Sequence, residues 1–205
     1  RHIVLPEIGG PGQMKLTDSH VVLVGVGGIG SPALQYLAAA GIGRLTLIDD
    51  DRVDASNPQR QTIFAEADIG QLKVERAEDW LLRFDPTIAC QAAAIRVTPD
   101  TAPALIQGAD LVMDGCDNFA PRLAVSDACV AARVPLLSAA VGRFQGQVAA
   151  FAGHIEGHSC YRCYVGDAFD AEDCDTCAAD GMLGAMAGWA ATFGAMQAIR
   201  VLLGG

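Results

Sequence analysis

A glycine-rich segment near the N-terminus has the spacing of a nucleotide-binding loop. The apolar run 21–24 leads into Gly25-Val-Gly-Gly-Ile-Gly30, in which Gly25, Gly27 and Gly30 occupy the positions of the G-x-G-x-x-G pattern. At these positions a missing Cβ permits a tight turn, a close approach to phosphate and close helix packing. Asp49 lies 19 residues after Gly30, where a carboxylate can accept hydrogen bonds from both ribose hydroxyls. This order of features predicts the binding of an adenosine nucleotide.

Basic and amide side chains follow Asp49 in a pattern suited to phosphate. Asn57, Arg60 and Gln61 lie close together in the sequence, and Lys73 lies at the start of a predicted helix. Each charge alone could be a solvated surface group, but lysine occurs only twice in the chain, against twelve arginines. Asp117 follows a predicted strand, at the sheet edge where α/β proteins bind ligands, although it could instead cap the next helix.

The cysteines form two C-x-x-C pairs late in the chain. Cys160 and Cys163, with Cys174 and Cys177, have the spacing C-x2-C-x10-C-x2-C. This spacing is typical of a four-thiolate zinc site, while a redox pair or buried thiols are the alternatives. Two histidines flank these cysteines and are interpreted as turn or surface residues, although they could be ligands. Three further cysteines are interpreted as small buried residues, namely Cys90, Cys116 and Cys129.

Alternating strand and helix patterns predict the elements that position these residues. The predicted strands are 20–25, 44–49, 88–94, 109–114 and 134–140, and the predicted helices are 29–40, 71–84, 100–107 and 118–133. This alternation indicates a parallel sheet with crossover helices. Residues 143–151 alternate like an antiparallel strand, and a cysteine-rich acidic loop and one long helix follow. We therefore expect a single α/β domain over 1–205: a Rossmann-like doubly wound sheet, parallel over 1–133 and antiparallel towards the C-terminus.

Composition limits the possible partners and compartment. The 205 residues are 51% hydrophobic with a mean hydropathy of +0.29, enough to bury a sizeable core. The net charge of −10 argues against broad binding to nucleic acid or to a membrane surface. The apolar segment 183–203 contains Thr192, Gln197 and Arg200, so we interpret it as a buried or subunit-interface helix. Seven cysteines without a recognisable secretory leader predict a reducing, cytoplasmic location.

These motifs together resemble the ThiF/MoeB/HesA family, the bacterial relatives of ubiquitin-activating E1 enzymes. The Ser-Asn-Pro-Gln-Arg-Gln, Gly-Gln-x-Lys and Asp-Asn elements are not general features of Rossmann folds, which makes the resemblance specific. It is collinear along the chain and is carried by residues 25–30, 49–51, 56–61, 70–73, 114–118, 135–138, 146–148 and 160–163.

The resemblance implies an ATP-dependent adenylyltransferase, which is a nucleotidyltransferase. The C-terminal Gly-Gly carboxylate of a small ubiquitin-like sulfur carrier would attack the α-phosphorus of ATP, giving an acyl-adenylate and pyrophosphate. Such activation serves sulfur transfer in molybdopterin, thiamine or related biosynthesis. One alternative is an NAD(P)-dependent oxidoreductase on the same glycine loop, which leaves Arg60, Lys73 and Asp117 unexplained. The other is a non-catalytic scaffold of the same fold.

The resemblance also implies roles for individual residues. Asp49 would bind ribose, Arg60 and Lys73 the triphosphate, and Asp117 a Mg²⁺ ion. The partner subunit's Arg1 would reach the site, which requires a homodimer, and the last helix is the expected dimer surface. Pro58 stands where the family usually has an aliphatic residue, so we expect it to extend the backbone at Asn57. The full predicted nucleotide site comprises Gly25, Gly27, Gly28, Gly30, Asp49, Asp51, Asn57, Arg60, Gln61, Lys73, Asp117 and Asn118.

For the cysteines the resemblance implies a different division from the spacing. Cys160 and Cys163 would bind Zn²⁺ together with a second C-x-x-C beyond the long helix, with Cys174 and Cys177 as rival ligands. Cys177 matches a cysteine that takes part in sulfur transfer or in a covalent link to the carrier in several relatives. Its many acidic neighbours would raise the pKa of its thiol. Residues 134–205 would form the carrier-binding half.

Overall fold

A computed structural model describes residues 2–166 and 181–205 of the chain. The strands are β1 (His20–Val24), β2 (Arg44–Ile48), β3 (Ala89–Ala93), β4 (Leu111–Asp114), β5 (Leu136–Gly142) and β6 (Gln145–Phe151). The helices are α1 (Gly9–Asp18), α2 (Gly30–Ala39), α3 (Lys73–Phe84), α4 (Ala102–Leu105), α5 (Phe119–Ala132), α6 (Tyr161–Val165) and α7 (Gly184–Leu203). Short 3-10 turns cover His2–Val4 and Glu66–Asp68.

The six strands form one sheet in the order β3-β2-β1-β4-β5-β6. Strands β1 to β5 are parallel, and β6 runs antiparallel to β5, which confirms the predicted fold class. Val24 at the end of β1 pairs with Ile48 of β2 on one side and with Asp114 of β4 on the other. The strand order reverses at this point, and the ligand crevice of an open α/β sheet lies at such a switch point.

Helices cover both faces of the sheet because the central strands are apolar on both faces. In β1, Val21 and Leu23 pack into one hydrophobic cluster, and Val22 and Val24 pack into the other. The first cluster includes residues of α2, α3 and α7, and the second includes residues of α4, α5 and α6. Both clusters pack against the parallel strands, and this packing fixes the carboxyl ends of these strands relative to one another.

The final helix α7 packs along the sheet through small residues. Its alanines at 187, 190, 191 and 198 are fully buried, and a Cβ on Gly194 would collide with the side chain of Met113. Trp189 and Phe193 are partly exposed on this helix and stack with ring centroids 5.6 Å apart. Among the described residues, no helix is both long enough and apolar enough to cross a membrane.

Candidate active site

A large open cavity lies at the carboxyl ends of the parallel strands. Its volume is about 1480 Å³. Its lining includes nearly every described residue predicted for the nucleotide: Gly25, Gly27, Gly28, Asp49, Asp51, Asn57, Arg60, Gln61, Lys73, Asp117 and Asn118. Gly30 is not part of the lining, and Arg1 lies outside the described residues. The fold therefore gathers the predicted nucleotide-binding groups from the three connections that follow β1, β2 and β4.

The glycines of the loop between β1 and α2 serve two different purposes. Gly25 has a φ of +83°, and a Cβ there would lie 3.2 Å from the carbonyl group of Gly115. A Cβ on Gly30 would collide with the carbonyl oxygen of Gly25. A Cβ on Gly27, by contrast, would make only an ordinary contact of 3.7 Å with the amide nitrogen of Gln61. Gly25 and Gly30 are thus required by the fold, while Gly27 leaves space facing the cavity.

Asp49 is held in a fixed orientation at the end of β2. Its carboxylate accepts hydrogen bonds from the backbone N–H of Val26 at 2.7 Å and of Asp51 at 2.8 Å. Burial raises the pKa of Asp49 above its ordinary value, and the nearby Lys73 ammonium and these two backbone donors oppose that rise. Asp49 lines the cavity together with the glycine loop, and ribose binding stays a prediction for it.

Lys73 is a buried ammonium at the rim of the cavity. Its side chain is 7% exposed and lies 2.7 Å from a carboxylate oxygen of Asp51, whose side chain is 67% exposed. The backbone N–H of Lys73 also donates to the carbonyl of Asp51 at 3.0 Å, so the start of α3 is tied to the acidic loop. A nearly buried cation with an exposed counter-ion is well placed to exchange that partner for a phosphate oxygen.

The segment from Asn57 to Gln61 forms a compact turn. The Asn57 carbonyl accepts hydrogen bonds from the N–H groups of Arg60 at 3.0 Å and Gln61 at 2.9 Å. Pro58 occupies the second position of this turn, where its fixed φ favours the geometry. The substitution of proline for an aliphatic residue is therefore accommodated, and the Asn57 side chain stays buried with its oxygen accepting from the N–H of Asp54 at 3.1 Å.

Gln61 carries a buried polar atom without a partner. The residue is 3% exposed, lines the cavity, and its side-chain oxygen has no hydrogen-bond partner in the described structure. Buried polar atoms in native proteins are normally paired. An unpaired amide oxygen at the cavity wall therefore fits a site that a polar ligand completes.

Asp117 and Asn118 lie exposed at the start of α5. The Asn118 side-chain amide donates to Asp117 at 2.9 Å. Asn118 is the residue that precedes the helix, and no side-chain hydrogen bond caps it. The alternative in which Asp117 merely caps this helix is therefore wrong. An exposed carboxylate at the cavity edge has the chemistry that Mg²⁺ prefers, so the residue fits the ion implied for it.

A buried polar cluster lies beneath this loop, and no residue pattern in the sequence predicted it. It joins Asp114 at the end of β4, Arg122 on α5 and Ser138 on β5, all buried. Asp114 was part of a recognisable motif, but its pairing with Arg122 depends on the helix that follows. Arg122 and Ser138 also line the cavity.

Cys160 and Cys163 lie together at the start of α6. Their sulfur atoms are 3.3 Å apart, and both thiols are free. In the described ranges no third histidine, cysteine or carboxylate joins them within 4.8 Å. Two neighbouring thiols fit half of a tetrahedral zinc site. The proposed rivals or partners Cys174 and Cys177 lie outside the described residues.

The remaining histidines and cysteines are placed largely as interpreted. His158 is an exposed loop residue whose ring contacts the Glu156 carbonyl at 3.3 Å, and His154 lies in the neighbouring turn. Cys129 is buried, whereas Cys90 and Cys116 are partly exposed, so the interpretation is wrong in degree for these two. Burial raises the pKa of Cys90 and of Cys129 to about 12, so neither cysteine is a reactive thiolate.

Comparison with known proteins identifies relatives over nearly the whole chain. The model of the ThiF family matches residues 1–205. The adenylyltransferase and sulfurtransferase MOCS3 of Bos taurus is 46% identical over 202 residues, which cover 98% of this chain and 43% of the relative. The molybdopterin-synthase adenylyltransferase of Escherichia coli is 42% identical over 204 residues, covering 100% of this chain and 81% of the relative.

Solved structures share the architecture. The structure of MccB with ATP from Escherichia coli superposes with a TM-score of 0.80 at 25% identity, covering 93% of this chain and 57% of that one. Thus the chain spans less than half the length of the MOCS3 relatives and somewhat more than half of the MccB chain.

Proposed function

Because this chain belongs to the ThiF family, we propose that it is an ATP-dependent adenylyltransferase that activates a small ubiquitin-like sulfur-carrier protein. The observation that carries the proposal is the cavity at the switch point of the sheet. Arg60 and the buried Lys73 line this cavity together with the glycines of the loop. The names of the Escherichia coli and Bos taurus relatives support adenylyl transfer as the reaction.

In the proposed reaction the carrier's C-terminal Gly-Gly carboxylate attacks the α-phosphorus of ATP. A bond forms between a carboxylate oxygen and the α-phosphorus, the bond from that phosphorus to the bridging oxygen breaks, and pyrophosphate leaves with the electron pair. The carboxylate is already ionised at neutral pH, so no side chain has to remove a proton. The work of the protein is therefore to align two anions and to stabilise the charge that develops between them.

The described residues divide this work. Asp49, fixed by two backbone donors, accepts hydrogen bonds from the ribose, and the open space at Gly27 lets the phosphates approach the loop. Lys73 and Arg60 bind the triphosphate, while the buried amides of Asn57 and Gln61 orient it. Asp117 would hold Mg²⁺, which would add positive charge next to the phosphates, and Asn118 belongs to the predicted nucleotide site.

The carrier and the dimer are assigned to the second half of the chain. We place the nucleotide on residues 1–133 and the carrier on residues 134–205 of one domain. The partly exposed Trp189, Phe193 and Met196 on α7 support a homodimer surface, and a homodimer would let the partner subunit's Arg1 complete the site. Cys160 and Cys163 would bind Zn²⁺, Cys177 would serve sulfur chemistry, and a reducing cytoplasm would keep these thiols free.

The experiment is ATP–pyrophosphate exchange with and without a carrier that ends in Gly-Gly. Exchange should appear only with the carrier and should disappear when the carrier lacks its last glycine. Arg60→Ala should lower exchange strongly, whereas Arg83→Ala, on the exposed end of α3, should leave it unchanged. Binding of NADH with no exchange would favour the oxidoreductase alternative. Nucleotide binding without exchange would favour the non-catalytic scaffold.

A further inference from the structure

The buried cluster beneath the cavity is organised around one arginine. Arg122 lies one turn into α5 and is 6% exposed. Its guanidinium donates to the Asp114 carboxylate at 3.2 Å and to the Ser138 hydroxyl at 2.9 Å. The Ser138 hydroxyl in turn donates to the same Asp114 oxygen at 3.0 Å. The cluster thus ties α5 to the ends of two neighbouring strands.

The same cluster also holds the backbone of the loop between β4 and α5. Arg122 donates to the carbonyl of Cys116 and, at 2.9 Å, to the carbonyl of Ala139. The second oxygen of Asp114 accepts the N–H of Cys116 at 2.9 Å. Both backbone polar groups of Cys116 are therefore bound by this ion pair, and Asp117 is the next residue along the chain.

The fixed backbone gives Asp117 its place at the cavity edge. Asp117 and Asn118 are exposed, and among the described residues Asp117 has a side-chain hydrogen bond to Asn118, within the same loop. Helix α5 begins directly after Asn118, and no side-chain hydrogen bond from Asn118 caps it. The loop that carries Asp117 is thus anchored through Cys116 on one side and through the backbone of α5 on the other.

We propose that Arg122 is a positioning residue, which fixes the loop at Cys116 and thereby holds Asp117 ready for the divalent cation that accompanies the nucleotide. This inference rests on the proposed function only in assuming that the cavity binds a nucleotide with its cation. Arginine suits the role because its planar fork reaches two side chains and two carbonyls at once. A lysine ammonium in its place would keep the charge but could not satisfy these partners together.

The test measures nucleotide binding as a function of Mg²⁺ concentration, with a fluorescent ATP analogue and the full chain. Outer residues that orient a metal ligand typically change metal affinity by about 10–100-fold when they are mutated. Arg122→Lys should therefore raise the Mg²⁺ concentration needed for half-maximal binding by about tenfold or more. Binding of the analogue in EDTA should change less than about twofold. The matched control Arg133→Lys, at the exposed end of the same helix, should behave like the wild type.

A double substitution separates positioning from general damage. If Arg122 acts through Asp117, then Arg122→Lys should cause no further loss of Mg²⁺ dependence in an Asp117→Asn background. Ser138→Ala keeps both charges and removes one bridging hydroxyl, so it should shift the Mg²⁺ dependence in the same direction by a smaller factor. If Arg122→Lys does not fold, the Mg²⁺ dependence of Ser138→Ala tests the inference in its place.

Three outcomes would overturn the inference. Wild-type Mg²⁺ dependence in the folded Arg122→Lys variant, or in Ser138→Ala if Arg122→Lys does not fold, would show that the loop does not need this anchor. An equal loss of binding in EDTA and in Mg²⁺ would show that Arg122 contacts the nucleotide itself. A wild-type chain that binds no nucleotide would overturn both this inference and the proposed function, whereas binding without carrier-dependent exchange would contradict the proposed function alone.

Discussion

The two glycines at positions 25 and 27 should respond in opposite ways to the same substitution. Gly25 has a positive φ and lies against the backbone of Gly115, whereas Gly27 has room for a Cβ in the free protein. If the account of the loop is right, Gly25→Ala damages the fold. Gly27→Ala leaves the fold intact and damages nucleotide binding.

The structure sets the size of both effects. For Gly25→Ala, the left-handed conformation costs about 1–2 kcal/mol and the 3.2 Å contact with rigid backbone adds about 1–3 kcal/mol. For a chain of this size each kcal/mol lowers the melting temperature by about 2–4 °C, so the expected loss is about 4–20 °C. For Gly27→Ala we expect a change within about 2 °C, because the new methyl group meets only an ordinary contact. ATP affinity should fall by at least about tenfold, which equals about 1.4 kcal/mol.

Differential scanning calorimetry of the free proteins and calorimetric titration with ATP and Mg²⁺ measure the two quantities. An equal loss of melting temperature in both variants would refute the assignment of Gly25 to the fold and Gly27 to the ligand. Wild-type ATP affinity in Gly27→Ala would refute the placement of the phosphates on this loop.

Three further predictions concern single groups around the cavity. Lys73→Met should lower ATP–pyrophosphate exchange by about 100-fold or more. The melting temperature should stay within about 3 °C of the wild type because the partner of Lys73, Asp51, is mostly exposed. Lys15→Met on α1 is the control, and similar losses of exchange in both variants would contradict the role of Lys73. Because burial raises the pKa of Asp49, its protonated form is favoured in the folded protein, so its contribution to stability falls as pH rises through that raised pKa. On acidification, ATP affinity should weaken at a higher pH than that at which an ordinary aspartate becomes protonated. Asp49→Asn should remove that part of the pH profile of ATP affinity. If titrations at stepwise lower pH give the same profile for Asp49→Asn as for the wild type, the ribose role is contradicted. Cys160→Ser should abolish bound zinc by elemental analysis while Cys90→Ser retains it, and zinc retained in Cys160→Ser would exclude this cysteine as a ligand.

The sheet could be predicted because its strands are locally unambiguous. The continuous apolar run of β1 indicates a strand that is buried on both faces of the sheet. Because the glycine loop follows this strand, ligands are expected at the carboxyl edge of the sheet. The same reasoning places Asp49 and Asp117 at that edge, since each follows a strand, whereas the role of Lys73 is implied by the family resemblance. The cavity therefore follows from local pattern and the rules of parallel sheets.

Other features depend on contacts that no local pattern displays. Helix α1 was not predicted because three glycines and a proline are its first four residues, which lowers helix propensity. It is stabilised instead by tertiary contacts, with Leu16 fully buried and the Gln13 side chain donating to the Ala40 carbonyl at 2.9 Å. The pairing of Asp114 with Arg122 and Ser138 likewise joins three elements, and only the assembled sheet brings them together.

The most direct test of adenylation is to identify the product on the carrier. The purified chain would be incubated with ATP, Mg²⁺ and a carrier ending in Gly-Gly, and the carrier would be examined by intact mass spectrometry with and without hydroxylamine. We expect a carrier that bears AMP on its C-terminal carboxylate and that hydroxylamine converts to the hydroxamate, with both species absent in Lys73→Met. A carrier that remains unmodified, while the wild-type chain is folded and binds ATP, would contradict the central claim.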